Sequence, residues 1–258
     1  MFLVDNRAKS MGQASGLRSR PSIAVMSLIR SVLHMLWMAI TVIPYTFAVL
    51  LAKWTSGSST KAYSAARAWL KLSVDSARVI MGVRYQVECM ENLPTDPKQG
   101  VVLLVKHQST FETFLMPTLM PHPLAYVFKR ELLQVPFFGW AMGRLDMIHI
   151  DRSRRSEAWN RVAEQGQKLF AQGVWVIMFP EGTRTPRGSQ GPYKSGASRL
   201  AIAAGVPIVP IAVASARCWP RRSFLLRPGE VGVSIGRPID STGRQPDELM
   251  REVEAWIE

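Results

Sequence analysis

The sequence predicts an α/β fold: a mixed, mostly buried sheet flanked by helices, with an N-terminal membrane-associating helical segment. Three observations predict it. Nearly continuous apolar runs, VVLLV at 101–105, VWVIMF at 174–179 and IVPIAV at 208–213, have the texture of strands covered on both faces. From about Val83 such runs alternate with amphipathic segments, the rhythm of an α/β domain. Upstream, Met35 to Ala52 reads MLWMAITVIPYTFAVLLA, eighteen residues without a charged side chain.

The chain has 258 residues, 47% of them hydrophobic, which suits one α/β domain with an N-terminal appendage and supplies a sizeable core. Residues 1–30 are expected to be a basic tail open to disorder, residues 31–82 a membrane-associating helical region, and residues 83–258 the α/β domain. In the tail, Arg7, Lys9, Arg18, Arg20 and Arg30 outweigh Asp5 and favour a cytoplasmic N-terminus. Lys53, Lys61, Arg67 and Lys71 follow the apolar run, and basic residues on both flanks oppose a simple single crossing. The run sits at the low end of the length needed to cross about 30 Å of hydrocarbon, and Pro44 interrupts it. A kinked span, half of a re-entrant hairpin, an interfacial helix and a buried soluble helix all stay open. Ala62 to Met81 mixes apolar and basic residues at helical spacing, as a surface-lying or second tethering helix would.

Within the domain, strands are predicted at Tyr85 to Cys89, Val101 to Val105, Ala125 to Phe128, Met147 to Ile150, Val174 to Phe179, Pro207 to Val213 and Val231 to Ile235. Helices are predicted at Phe111 to Leu119, near Phe137 to Met142, and at Ser156 to Gln172, Lys194 to Ala204 and Asp247 to Ile257. The net charge of +13 implies an anionic partner but does not choose among nucleic acid, lipid headgroups and phosphorylated cofactors. The bases form no evident recognition helix or aromatic-interleaved RNA motif, so no nucleic acid is expected. Cys89 and Cys218 match neither a disulfide framework nor a zinc spacing, and no glycine-rich phosphate loop is present. No metal or cofactor is indicated.

Two polar clusters follow predicted buried strands, where ligands of open α/β sheets gather. The first is Lys106-His-Gln-Ser-Thr-Phe-Glu112. A neutral imidazole at His107 can take a proton from an attacking hydroxyl, and the Glu112 carboxylate can fix its tautomer and stabilise the imidazolium. The bland alternative is a capping box, with Ser109 as N-cap and Glu112 at the third helical position. Capping and orienting the histidine are compatible, though not through the same carboxylate oxygen. The second cluster is Phe179-Pro-Glu-Gly-Thr-Arg184, where Gly182 permits a tight turn and Arg184 offers a planar fork to phosphate. Its alternative is a local Glu181–Arg184 ion pair. Arg187 and Lys194 on the following loop suit either an anion-binding lip or a solvated loop. Lys129 and Arg130 follow another predicted strand, with Phe137 and Phe138 downstream as core or as the wall of an acyl path. Arg152, Arg154 and Arg155 form a basic run at a predicted helix start.

Four blocks in this order, His107 to Glu112, Lys129 to Gly139, Phe179 to Arg184 and Val206-Pro-Ile-Val-Pro-Ile211, resemble the glycerolipid acyltransferase family over roughly residues 83–240. The resemblance is to its 1-acylglycerol-3-phosphate acyltransferases of the bacterial PlsC type. The family usually has Asp where this chain has Glu112, and seldom a lysine before the histidine. The resemblance implies that His107 is the general base, oriented by Glu112, and that no acyl-enzyme forms. It assigns Glu181, Gly182, Thr183 and Arg184, assisted by Lys129 or Arg130, to substrate binding. It further implies lysophosphatidic acid as acceptor, acyl-CoA or acyl carrier protein as acyl-donor substrate, anionic membrane lipids as partners, and the cytoplasmic face of the inner membrane. Acylation of another lysolipid, such as a lyso-ornithine lipid, is the related alternative; a non-enzymatic basic peripheral membrane protein is the alternative of a different class. A nucleophilic Ser109 has weaker grounds, since no G-x-S-x-G elbow surrounds it.

Overall fold

The computed structural model describes residues 21–150 and 155–258. Arg7, Lys9, Arg18, Arg20, Arg152 and Arg154 lie outside the described residues. Helix α1 spans Pro21–Ser56, so the last ten residues assigned to the tail are helical. At 1.5 Å per residue it is about 54 Å long, and Pro44 sits inside a continuous element. The chain then reverses through Gly57 into α2, Ser59–Ser76, whose first turn is capped by the Ser58 side chain. A short π-helical turn, Ala77–Met81, closes on left-handed Gly82.

Strands β1 (Val83–Glu88), β2 (Val102–Val105), β3 (Leu124–Lys129), β4 (Ile148–Ile150), β5 (Trp175–Met178), β6 (Ile208–Val213) and β7 (Gly229–Ile235) form one sheet in the order β1-β7-β6-β2-β5-β3-β4. The β6–β7 pair is antiparallel and every other pair is parallel, which gives the mixed sheet expected from sequence. Helices α3 (Phe111–Leu119), α4 (Phe138–Met142), α5 (Arg155–Phe170), α6 (Gly196–Ala204) and α7 (Pro246–Ile257) complete the domain.

The two-residue side-chain period of a strand sorts the core into two layers. Leu103 and Val105 of β2, with Trp175 and Ile177 of β5, face a cluster containing Trp69 of α2, Phe111 and Leu115 of α3 and Met35 and Val42 of α1. Val102 and Leu104, with Val176, face the opposite cluster, built from Leu169, Leu200 and Val253 of α5, α6 and α7. All four β2 residues are buried, which is why the run is apolar throughout rather than alternating.

This layering decides part of the N-terminal question. Only 11% of the most apolar window of α1 is buried, so α1 is no buried core helix. One side of it nonetheless rests on the domain along much of its length: Ser31 accepts the Leu226 N–H at 2.9 Å, and Met35, Met38, Val42 and Tyr45 pack on the first core cluster. Leu33, Leu36, Trp37, Ile40, Phe47 and Leu51 stay exposed. Three of the four basic residues that follow the apolar run, Lys53, Arg67 and Lys71, have partners within the fold. Arg67 donates to the carbonyls of Pro117, Thr118 and Met120 at the end of α3, where a cation also favours the helix dipole. Lys53 donates to Ser59, and Lys71 pairs with Asp75.

Candidate active site

Connections leaving the carboxyl ends of β2 and β5 diverge: β2 leads through α3 to β3 beyond β5, whereas β5 leads through α6 to β6 beyond β2. Diverging connections open a crevice between two neighbouring parallel strands. His107 follows β2 and Phe179 follows β5, so the two clusters, far apart in sequence, meet there. The His107 and Phe179 rings stack with centroids 3.8 Å apart and planes inclined by 16°. Thr185 N–H and Oγ–H both donate to the His107 carbonyl, at 2.8 and 3.2 Å. Arg184 Nη1 donates to Thr110 Oγ1 at 2.9 Å, just before α3.

His107 Nδ1 lies 3.1 Å from Glu112 Oε1. The carboxylate is fully buried and is surrounded by donors. Oε1 also accepts the N–H groups of Gln108 and Ser109, each at 2.6 Å. Oε2 accepts a short hydrogen bond from the Ser109 hydroxyl and another from Ser215 Oγ at 2.7 Å. Burial pushes the Glu112 carboxyl pKa up, but bonding to His107, the nearby imidazole charge and the Ser109 donors outweigh it and leave it below the usual 4.5. An ionised acceptor at Nδ1 places the imidazole proton there and leaves the Nε2 lone pair as the basic site.

Two expectations about this turn change. Thr110, not Ser109, is the N-cap of α3, which puts Glu112 at the second helical position. Ser109 instead turns its oxygen to the Phe111 N–H at 2.9 Å while its hydroxyl hydrogen goes to Glu112. The division of labour between the two carboxylate oxygens also fails. Oε1 serves His107 and two backbone N–H groups together, because all three donors converge on it from one tight turn.

The Glu181–Arg184 ion pair does not form: Arg184 goes to Thr110, whereas the Glu181 carboxylate is buried beneath the turn. Glu181 Oε1 accepts the His107 N–H at 3.3 Å and lies 3.5 Å from Lys106 Nζ. Burial raises the Glu181 pKa, opposed by backbone donors and the Lys106 charge. Gly182 has φ 66° and lines the adjoining cavity with Thr183 and Arg184. Lys129 also lines it, whereas Arg130 begins a short 3-10 turn, Arg130–Gln134, and is exposed.

The cavity holds about 1270 Å³ and has two characters. Lys129, Arg184, Lys194 and Arg199 line it, and no carboxylate does among the described residues. The rest is largely apolar and runs between α1, α2, α3 and α4 past Val49, Trp69, Phe114, Phe138 and Met142. His107, with Ser109 and Thr110, belongs to the same lining. A base in a cavity whose lining combines four cations with a long apolar wall suits a molecule with an anionic head, a reactive hydroxyl or carbonyl, and long hydrocarbon.

Sequence reasoning missed Ser215, Gln108 and Arg199. Gln108 Oε1 accepts the N–H groups of Ser215 and Ala216 at 3.1 and 3.2 Å, which fastens the loop after β6 beside Glu112. The available signal was the block Val206–Ile211, which announces a buried strand; its parallel pairing with β2, which brings the residues after both strands together, is visible only in the structure.

Residues 84–214 match the acyltransferase family, and the chain belongs to it. It is thus an enzyme, not a merely adhesive basic protein. Over 192 residues it is 42% identical to the 1-acyl-sn-glycerol-3-phosphate acyltransferase of Pseudomonas aeruginosa, covering 73% of each chain. Over 183 residues it is 35% identical to the human 1-acyl-sn-glycerol-3-phosphate acyltransferase alpha, covering 70% of this chain and 63% of the human one. The crystal structure of the 1-acyl-sn-glycerophosphate acyltransferase PlsC from Thermotoga maritima superposes with a TM-score of 0.76 at 24% identity, over 90% of this chain and 93% of that one, and shares the fold.

Proposed function

We propose that the chain transfers a fatty acyl group from an acyl thioester, of CoA or acyl carrier protein, to the free hydroxyl of 1-acyl-sn-glycerol 3-phosphate, forming phosphatidic acid. The observation that carries the reading is the His107–Glu112 pair in a cavity lined by four cations and by a long run of apolar side chains. Arg184 holds the phosphate, with Lys129, Lys194 and Arg199 as the other cations of the lining, and the apolar side chains take hydrocarbon. His107 Nε2 takes the proton as the acceptor oxygen bonds to the thioester carbonyl carbon. The carbon–sulfur bond then breaks, and the imidazolium returns the proton to the leaving thiolate. Glu112, ionised and immobile, stabilises that imidazolium throughout.

The same reading places the enzyme on the cytoplasmic face of the inner membrane. Because one side of α1 lies against the domain and the other exposes large apolar residues, α1 rests along the membrane interface rather than crossing it, with the α1–α2 hairpin as a fixed part of the cavity wall. Anionic lipids match the net charge of +13.

A thiol-release assay with purified protein and lysophosphatidic acid tests it, run with each donor and beside His107→Ala. Thiol release and phosphatidic acid are expected from the wild type, and neither from a folded His107→Ala protein. Retained turnover in that variant refutes the base. Turnover with a lyso-ornithine lipid but not with lysophosphatidic acid refutes the acceptor.

A further inference from the structure

We propose that Glu258, in the last turn beyond α7, is a positioning residue for acyl transfer, acting through Lys106 on the base and through Tyr193 on the cationic loop. The proposal rests on the acyl-transfer reading above. The body of α7 packs Leu249, Met250, Val253 and Ile257 into the second core cluster, on the face of the sheet away from α1 and α3. Its end nevertheless reaches the site.

Lys106 directly precedes His107, and its side chain is only 6% exposed. Its ammonium makes a short ion pair with Glu258 Oε1 and lies 3.5 Å from Glu181 Oε1. That Glu181 oxygen is the one that accepts the His107 N–H, at 3.3 Å. The same Glu258 oxygen also accepts the Tyr193 hydroxyl at 2.9 Å, and the Tyr193 ring lies 6.0 Å from Lys106 Nζ. Tyr193 immediately precedes Lys194, which lines the cavity. One turn back, Glu254 Oε1 accepts Gln190 Nε2 at 2.8 Å, a second tie to the same loop.

The cluster sets one buried cation between two carboxylates, and Glu181 Oε2 has no hydrogen-bond partner. Glu258 therefore decides where the ammonium sits. Without it, Lys106 is drawn to Glu181, the other carboxylate paired with it among the described residues, and competes with the His107 N–H for Oε1. The loop of Tyr193 and Lys194 loses its tether in the same step. Removing one member of a buried pair leaves a charge uncompensated, whereas replacing both by apolar groups need not destabilise.

The test is steady-state thiol release from palmitoyl-CoA and from palmitoyl-acyl carrier protein with lysophosphatidic acid, alongside the melting temperature, for detergent-solubilised variants of the whole 258-residue chain. Glu258→Ala is expected to fold with a lowered melting temperature, a kcat reduced about 10- to 100-fold and a raised KM for lysophosphatidic acid, because small misplacements of catalytic groups cost about that much. The double variant Lys106→Met with Glu258→Met also removes the competing ammonium, so kcat is expected to recover relative to Glu258→Ala while the KM for lysophosphatidic acid stays raised, because the Tyr193 tether is lost in both. A double variant with kcat no better than that of Glu258→Ala overturns the proposal, as does wild-type kcat and KM in folded Glu258→Ala. Should the Glu258 variants not fold, Tyr193→Phe decides: it removes one hydroxyl, and an unchanged KM overturns the proposal where a rise of several-fold supports it. Absence of thiol release from the wild type with both donors instead sinks the acyl-transfer reading.

Discussion

Ser215→Ala probes the least visible part of the site. Glu112 is fully buried, so no water replaces a lost donor, and Ser215 supplies one of the two hydrogen bonds to Oε2. A hydrogen bond to a charged group contributes about 1.5–3 kcal/mol, and that is the expected destabilisation at pH 7. The pH dependence follows from linkage. The Glu112 pKa is depressed in the fold, so its contribution is present above 4.5, the ordinary value, and is lost as pH falls through the lower folded value. Protonation turns the Ser215 contact into a neutral hydrogen bond, so the loss should shrink to about 0.5–1.5 kcal/mol in acid. Urea unfolding of wild type and variant at pH 7 and below the folded pKa measures both values. A loss under 0.5 kcal/mol at pH 7, or one equal at both pH values, would refute an ionised Glu112 held by Ser215.

Two further substitutions test the phosphate side. Arg184→Lys keeps the charge but loses the fork and the bond to Thr110; it is expected to raise KM for lysophosphatidic acid about tenfold with little change in kcat, and an unchanged KM argues against Arg184 as the phosphate ligand. Gly182→Ala puts a side chain at φ 66° and a Cβ 2.8 Å from Lys194 Nζ. A stability loss of about 1–2 kcal/mol and a weaker acceptor KM are expected, and wild-type values of both in thermal melts and kinetics would count against the turn as a formed binding element.

Much of the frame was legible. The runs at 101–105, 174–179 and 208–213 became β2, β5 and β6, because strands covered on both faces need apolar residues at nearly every position and these runs are strand length. Phe111 to Leu119 was placed to the residue. The start of α1 was missed: Pro21 to Arg30 is largely apolar, but Arg30 and the basic residues before it set it apart from the uncharged run that follows, and the contacts of Ser31 with Leu226 and of His34 with Trp219 belong to the tertiary structure. Arg67 read as a membrane-facing base because its partners are backbone carbonyls of α3, which carry no sequence signature.

Within the site the same division holds. Chemistry that a residue type limits to a few roles, the imidazole of His107, the fork of Arg184, the permissive backbone of Gly182, is written in the sequence and in its resemblance to a known family. What a carboxylate does is not. Glu112 and Glu181 are both glutamates in recognisable motifs, but one is ionised under five donors and the other is buried behind the base with an unpaired oxygen. Ser215 and Glu258 stand 103 and 152 residues from their partners Glu112 and Lys106, and only the pairing of β6 with β2 and the docking of α7 bring them close. The sequence determined which reactive groups exist and which strands carry them. Tertiary structure decided their charge, orientation and support, because solvation and hydrogen bonding depend on neighbours that the chain order does not specify.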